Sequence, residues 1–293
     1  MATTSARQNL RILLDRGELI IAPGVFDGIT AHLARRTNQA AAYLTGAGVA
    51  ASAFGLPDIG LVTATEMAER ARMLVGVLAD VPLIADADTG YGTTMNVVRT
   101  VRLYEQAGVA AIQLEDQVFP KRCGHLEDKH VVDAAVFEQT LAAALDARCD
   151  DNLLVVARTD ARAPLGLDAA IERANRYAQA GADVIFVEAP QSIEEIERIA
   201  REVEAPLLIN LVQGGMTPLE SATRLQELGY AIAIHPSNPL GRAVLGMLEG
   251  MCELNGGNLA DHLPSKPGEF FNLVGMAEWL DLDAKYARLE EVR

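Results

Sequence analysis

Cysteine is scarce in this sequence. Cys123, Cys149 and Cys252, three residues among 293, form an odd set with no CxxC pair, which argues against a disulfide framework or thiolate metal site and fits a reduced interior. Cations are a minority as well, 25 Lys and Arg against 40 Asp and Glu, for a formal net charge of -15. Nucleic acid and anionic membrane surfaces both reward distributed positive charge, so neither is expected as a partner. Long apolar runs are missing. Residues 40–57 come nearest, but they are rich in Gly and Ala and interrupted by Tyr43 and Thr45, so no spanning helix is expected. The first eleven residues carry no apolar core of the secretory kind, and a cytoplasmic location is the expectation.

Half the residues are hydrophobic, enough to bury a sizeable core. Some of them fall into eight short runs, at 19–23, 41–46, 82–88, 110–116, 153–160, 183–189, 206–212 and 231–236. The runs are rich in Val, Ile and Leu without polar alternation, as expected of parallel strands buried on both faces. Helical patterns separate them. In 94–107, Val97, Val101 and Tyr104 share one face, and in 167–180 Leu167, Ile171, Ala174 and Ala178 do the same. Both stretches stop at a glycine, Gly108 or Gly181, and a glutamate follows seven residues later, Glu115 or Glu188. One unit is being repeated.

Strands alternating with helices, with no Pro/Gly/Ser-rich linker between them, predict a (β/α)8 TIM-type barrel over residues 1–255. The competing architecture is an open doubly wound sheet, which the lack of a GxGxxG or Walker-type loop after the first run disfavours. Residues 256–293 read as a C-terminal helical extension behind a linker with Gly256, Gly257, Pro264, Pro267 and Gly268. Its apolar side chains, Phe270, Phe271, Leu273, Trp279 and Leu280, are expected to dock on the barrel or on a neighbouring subunit.

Active sites of such barrels gather where strands end. Those ends bring Thr45, Asp86, Asp88, Glu115, Asp116, Arg158, Asp160, Glu188, Asn210 and His235. Six carboxylates on one rim would repel one another unless cations neutralise them, and a divalent metal would do so. Asp86 and Asp88 share one side of a strand at period two. With Glu115 they make an oxygen-only set that selects Mg²⁺ or Mn²⁺ over zinc. The other reading is a helix N-cap at Asp88 beside a structural aspartate. Arg158 closes a buried run, and its fork suits either a substrate carboxylate or a salt bridge to Glu188 or Asp86.

The most unusual stretch is Lys121-Arg122-Cys123-Gly124-His125, cations, a thiol and an imidazole together in an acidic chain. An anionic small molecule would account for it, with backbone approach at Gly124 and Cys123 as nucleophile or acid. A solvated basic loop with an incidental cysteine is the alternative.

Taken with Leu114-Glu115-Asp116-Gln117, Asp86-Ala87-Asp88-Thr89-Gly90-Tyr91-Gly92, Tyr43-Leu44-Thr45-Gly46, Gly55-Leu56-Pro57-Asp58 and Ala157-Arg158-Thr159-Asp160-Ala161, this string resembles the isocitrate lyase and phosphoenolpyruvate mutase superfamily. Its methylisocitrate and dimethylmalate lyase branches are the most similar. The resemblance implies a Mg²⁺-dependent (or Mn²⁺-dependent) barrel that cleaves a carbon–carbon bond in a 2-hydroxy di- or tricarboxylate, releasing pyruvate or a related 2-oxo acid and a second carboxylic acid. It implies Asp86 as direct metal ligand, with Asp58, Asp88 and Glu115 holding the metal's waters. Tyr43, Thr45, Gly46, Ala47, Gly124, Arg158, Glu188 and Asn210 would bind substrate, and Glu188 would brace Arg158. Cys123, Lys121, Arg122 and His125 would form the catalytic group, Cys123 protonating the carbanion left by cleavage. A loop from residue 118 to about 131 would cover the site, and exchange of the C-terminal helical region would build a homotetramer, a dimer of dimers.

Two segments depart from the methylisocitrate pattern. Thr45-Gly46-Ala47 stands where Ser-Gly-Gly is typical, and Leu211-Val212-Gln213-Gly214-Gly215 follows Asn210, closer to the dimethylmalate branch. Phosphonopyruvate mutases or hydrolases of the superfamily are an alternative, though they generally lack the Lys-Arg-Cys-Gly-His string. Oxaloacetate hydrolases are another, and those carry a serine near the end of the eighth strand, where this chain has Pro236.

Overall fold

The computed structural model describes residues 5–122, 124, 129–256, 277, 278, 280, 281, 284 and 285. Eight strands close into a barrel in sequence order, every neighbouring pair parallel. They are β1 (Ile20–Val25), β2 (Ala42–Leu44), β3 (Leu83–Asp86), β4 (Ala111–Glu115), β5 (Leu154–Thr159), β6 (Val184–Val187), β7 (Leu207–Asn210) and β8 (Tyr230–His235). Each overlaps one of the eight predicted runs, and the doubly wound alternative is set aside.

From β2 through β7 every strand position is buried. One set of side chains fills the lumen while the alternate set meets the helices, which is why the runs show no polar alternation. The lumen cluster contains Ile20, Ala22, Tyr43, Ile84, Ala111, Leu154, Val156, Val184, Phe186, Leu208, Ile232 and Ile234. The outer cluster takes residues of opposite parity, among them Leu44, Ala85, Ile112, Val155 and Ile185.

The helices that follow the strands are α2 (Gly28–Arg36), α3 (Gly46–Val49), α4 (Ala64–Leu78), α5 (Thr94–Ala107), α6 (Ala134–Ala147), α7 (Arg162–Leu165), α8 (Leu167–Gln179), α9 (Ile193–Glu202), α10 (Ala222–Leu228) and α11 (Asn238–Gly256). A π-turn, Ala50–Phe54, continues α3. The predicted stop signals are real: Gly108 and Gly181 have φ of 92° and 99°, a region open to glycine at little cost.

Before the barrel runs α1 (Ala6–Asp15), started by a capping box in which Ser5 and Gln8 exchange side-chain and backbone hydrogen bonds. Its Leu10 is fully buried within the lumen cluster. Arg7 donates to the carbonyl of Val109 at 2.9 Å and pairs with Asp150, and Arg11 pairs with Asp183. These partners precede β4, β5 and β6, so α1 lies across the N-terminal end of the barrel and Leu10 seals it.

The chain divides into two compact units, Met1–Leu240 and Gly241–Arg293; the division falls within α11, whereas the sequence placed a boundary at 255/256. In the second unit Val244, Leu245, Met247, Leu248, Met251 and Leu254 of α11 are exposed, as is Leu280. Phe270, Phe271, Leu273 and Trp279 lie outside the described residues. Among the described residues no helix is long and apolar enough to cross a membrane.

Candidate active site

Side chains two apart on a strand share a face, so the lumen rows can be followed upward to the C-terminal rim. Ile84 leads to Asp86, Ala111 to Gln113 and Glu115, Val156 to Arg158, Phe186 to Glu188, Leu208 to Asn210 and Tyr43 to Thr45. Each row is apolar below and polar at the top. Above this layer lies a cavity of about 160 Å³. Tyr43, Thr45, Ala47, Asp58, Asp86, Lys121, Gly124, Arg158 and Asn210 line it, with Val212, Ile234, Pro236, Ser237 and Leu240 along the rest of the wall.

Asp86 is 7% exposed and firmly held. The amide of Gly46 donates to its Oδ2 at 3.2 Å and that of Asp88 to its Oδ1 at 3.1 Å. A β-carbon on residue 46 would lie 2.8 Å from Oδ2, so this approach requires glycine. Asp88 is no helix N-cap, since Thr93 caps α5. Its φ is 46°, a left-handed conformation that aspartate tolerates better than most residues.

Lys121, 4% exposed, bridges two carboxylates, pairing with Asp58 and, at 2.9 Å, with Asp88. Burial opposes its charge, but Asp88, Glu115, Asp86 and Asp58 outweigh that and hold its pKa well above the usual lysine range. Burial pushes the Asp88 carboxyl up to about 7 against the pull of Lys121. Glu115 is likewise raised by burial, with Arg158 opposing. Its Oε1 has no hydrogen-bond partner among the described residues.

Of the two salt-bridge partners the sequence offered for Arg158, Glu188 is found and Asp86 is not, while Asp160 and Glu115 join it. Its Nε and Nη2 donate to the two oxygens of Asp160 at 2.8 and 3.0 Å. Nη1 lies 3.4 Å from Glu115 and 3.5 Å from Glu188, and the guanidinium stacks over Phe186 at 5.2 Å. Arg158 and Lys129 overcome burial to bring Asp160 down to about 2. The Asn210 amide donates toward both oxygens of Glu188 at 3.3 and 3.4 Å.

The structure thus brings together Tyr43, Thr45, Ala47, Asp58, Asp86, Lys121, Gly124, Arg158 and Asn210 on one cavity, with Gly46, Asp88, Glu115 and Glu188 immediately behind its wall. Arg122 does not join them. It is exposed, its backbone clasped by the Gln117 amide at 2.8 and 2.9 Å. Cys123 and His125 lie outside the described residues. Two of the strand-end residues face elsewhere. Asp116 is bonded by Thr159, Arg173 and Tyr177 on the outer side, and His235 is not in the cavity wall.

Three contributors went unnoticed in the sequence. Gln113 accepts from the Tyr43 hydroxyl at 3.1 Å and reaches toward Asp86 at 3.5 Å; its position two residues before Glu115 was the available signal. Ser237 borders the cavity one residue beyond Pro236. Lys129 is buried against Asp160 at 2.7 Å, and a lone lysine after a loop gave no sign of it.

Among the described residues of this rim, six carboxylates, Asp58, Asp86, Asp88, Glu115, Asp160 and Glu188, meet three buried cations, Lys121, Lys129 and Arg158. No three carboxylate, imidazole or thiol groups among them close on one point. A hard divalent ion bound directly by one carboxylate and through water by others needs no such cluster. The excess of anionic oxygen and the lone Glu115 Oε1 fit an ion of that kind beside Asp86.

A family model described as phosphoenolpyruvate phosphomutase matches residues 10–254. The chain is 42% identical over 281 residues to the 2,3-dimethylmalate lyase of Eubacterium barkeri, which covers 95% of this chain and 97% of that one. It is 41% identical over 286 residues to the 2-methylisocitrate lyase of Aeropyrum pernix, covering 96% of this chain and 91% of the relative. A solved oxaloacetate acetylhydrolase with the inhibitor 3,3-difluorooxalacetate superposes with a TM-score of 0.93 at 34% identity, covering 97% of each chain.

Proposed function

We propose, from the premise that the chain belongs to the phosphoenolpyruvate mutase/isocitrate lyase superfamily, that its site is that of a carbon–carbon lyase for a 2-hydroxy di- or tricarboxylate of the dimethylmalate or methylisocitrate type. One observation carries the reading: Lys121, Arg158 and Asn210 face the same small cavity as the apolar wall of Val212, Ile234, Pro236 and Leu240. That combination suits a polyanion bearing an alkyl substituent.

In this reading Asp86 would hold Mg²⁺ or Mn²⁺, with Asp58, Asp88 and Glu115 supporting it through water. When bound, the ion supplies stabilisation of negative charge on the oxygen that becomes the 2-oxo group. Arg158 and Asn210, with His125, take substrate carboxylates, and Tyr43 and the 45–47 turn shape the 2-oxo acid end. Glu188 braces Arg158 from behind. Lys121, paired with Asp58 and Asp88 in the cavity wall, positions the substrate hydroxyl.

The hydroxyl proton passes to the carboxylate cluster as the bond between the second and third carbons breaks. The electron pair stays on the departing acid, and Cys123 protonates that carbon. Lys121 and Gly124 stand in the cavity wall, and excluding water there would protect the carbanion.

The test is a panel of 2,3-dimethylmalate, 2-methylisocitrate and alkylmalates with Mg²⁺, following 2-oxo acid release. Turnover of at least one, abolished by C123S, is expected; no release from any member would sink the proposal.

A second reading, hydrolysis of oxaloacetate, draws support from Ser237 on the cavity wall. Oxalate and acetate formed from oxaloacetate faster than any malate is cleaved would favour it. As for assembly, the exposed apolar row on α11 supports a homotetramer, which light scattering would refute by finding a stable monomer. A cytoplasmic location completes the reading.

A further inference from the structure

Lys129 is among the most completely buried cations of the described chain, its side chain without exposure. An ammonium so placed keeps its charge only if it is paired and hydrogen-bonded. Its Nζ donates to Oδ1 of Asp160 at 2.7 Å and to the carbonyl of Gly124. The same Oδ1 accepts from Nη2 of Arg158, and Oδ2 accepts from its Nε. Asp160 is fixed from a third side by its own amide, which donates to Asp116 at 2.9 Å. A chain of contacts therefore runs from the Gly124 carbonyl through Lys129 and Asp160 to the guanidinium in the cavity wall.

An ordinary structural ion pair would account for Lys129 and Asp160 alone. It does not account for the loop carbonyl on the same ammonium. Gly124 packs so closely on Arg158 and Glu188 that a β-carbon there would come within 2.3 Å of Nη2. The position of the Gly124 turn and the orientation of the arginine are thus set together, and Lys129 bonds to both sides.

We propose that Lys129 is a positioning residue, its ammonium tying the Gly124 turn to Asp160 and so holding the Arg158 guanidinium in its place in the cavity wall. The inference rests on the reading that Arg158 receives a substrate carboxylate. Without the ammonium, Asp160 would draw more strongly on Arg158, which also faces Glu115 and Glu188. Its charge would be drawn onto those three acids, leaving less for a bound anion, and the Gly124 turn would lose its tether.

The test compares K129M, which keeps the apolar stem, with K129R, which restores the charge and can donate to two acceptors. The first readout is the Nε–H resonance of Arg158 in the ¹⁵N-arginine-labelled full chain, assigned through R158K. The second is the division of any loss between KM and kcat. In K129M the resonance is expected to move and its proton to exchange with water faster. KM for the cleaved acid is expected to rise roughly tenfold to a hundredfold, the scale on which small misplacements act, and kcat to change less. K129R should recover part of both.

An unmoved Arg158 resonance in K129M, or a variant whose only change is a lower melting temperature, would overturn the assignment. If K129M does not fold, K129Q carries the same comparison, since its amide can still donate but brings no charge. A moved resonance in a protein that cleaves none of the acids would support Lys129's role while removing the lyase reading, so the two failures are distinguishable.

Discussion

Gly124 lies against Arg158 with no room for a single added methyl group: a β-carbon there would be 2.3 Å from Nη2 and 2.7 Å from the Glu188 carboxyl carbon. The neighbours cannot yield cheaply, because Arg158 is fixed on Asp160 and stacked on Phe186. G124A should therefore push the backbone at position 124 off the cavity wall. A fall of about a hundredfold or more in kcat/KM is expected, with a melting temperature close to that of the parent. Paired kinetics and calorimetry check it, and undiminished activity would show that the contact does not matter.

Gly46 offers the corresponding test at the metal end. A β-carbon at that position would press on Oδ2 of Asp86 and remove the approach that lets the Gly46 amide donate to it. G46A should weaken Mn²⁺ binding by about tenfold to a hundredfold, as loss of supporting contacts to metal ligands does, and D86N should abolish it. Titration of free Mn²⁺ by electron paramagnetic resonance measures both. Equal affinity in D86N and the parent would remove Asp86 from its role.

Asp160 supplies a pH signature. Its folded pKa lies at about 2, below the ordinary 3.8, so the folded state holds fewer protons in that interval. The stabilisation is present in full above the unfolded value and is lost as pH falls from near 4 toward 2. A depression of that size is worth about 2 kcal/mol. D160N should unfold at lower denaturant than the parent at neutral pH, and the gap should narrow across that acid window. A gap independent of pH would mean that the ionised carboxylate is not what stabilises.

Leu10 tests the opposite end of the barrel. It is fully buried in the lumen cluster, so L10A removes methyl groups where collapse is difficult. A loss of about 2–5 kcal/mol in unfolding free energy is expected, with kcat little changed because Leu10 lies at the end of the barrel remote from the cavity. Urea unfolding followed by circular dichroism would reveal it, and a loss below the core range would show that α1 is a loose cover.

The barrel was legible because its signals are local and repeated. Buried parallel strands need unbroken apolar runs, and Gly108 and Gly181 mark helix ends by a conformation that other residues resist. The site was legible in part, for a related reason: Asp86, Glu115, Arg158 and Asn210 interrupt lumen rows whose parity the sequence reveals. Gln113 sits on the same parity and could have been found so. Lys129 could not, since a partner 31 positions away in sequence leaves no periodic trace. Nor could the bidentate hold of Asp160 on Arg158, which depends on how the chain turns after β5. Asp116 was counted with the rim carboxylates because a glutamate beside it is one. The strand's alternation sends it outward instead, to Arg173 and Tyr177.

The lumen below the cavity is packed with side chains down to Leu10, so substrate does not pass along the barrel axis and reaches the cavity from the C-terminal rim. On the proposed reaction one molecule enters and two must leave by that route, so departure is sequential rather than simultaneous. Whichever fragment lies deeper waits for the other. Steady-state product inhibition would then be asymmetric, the last fragment to leave competing with substrate and the first inhibiting noncompetitively.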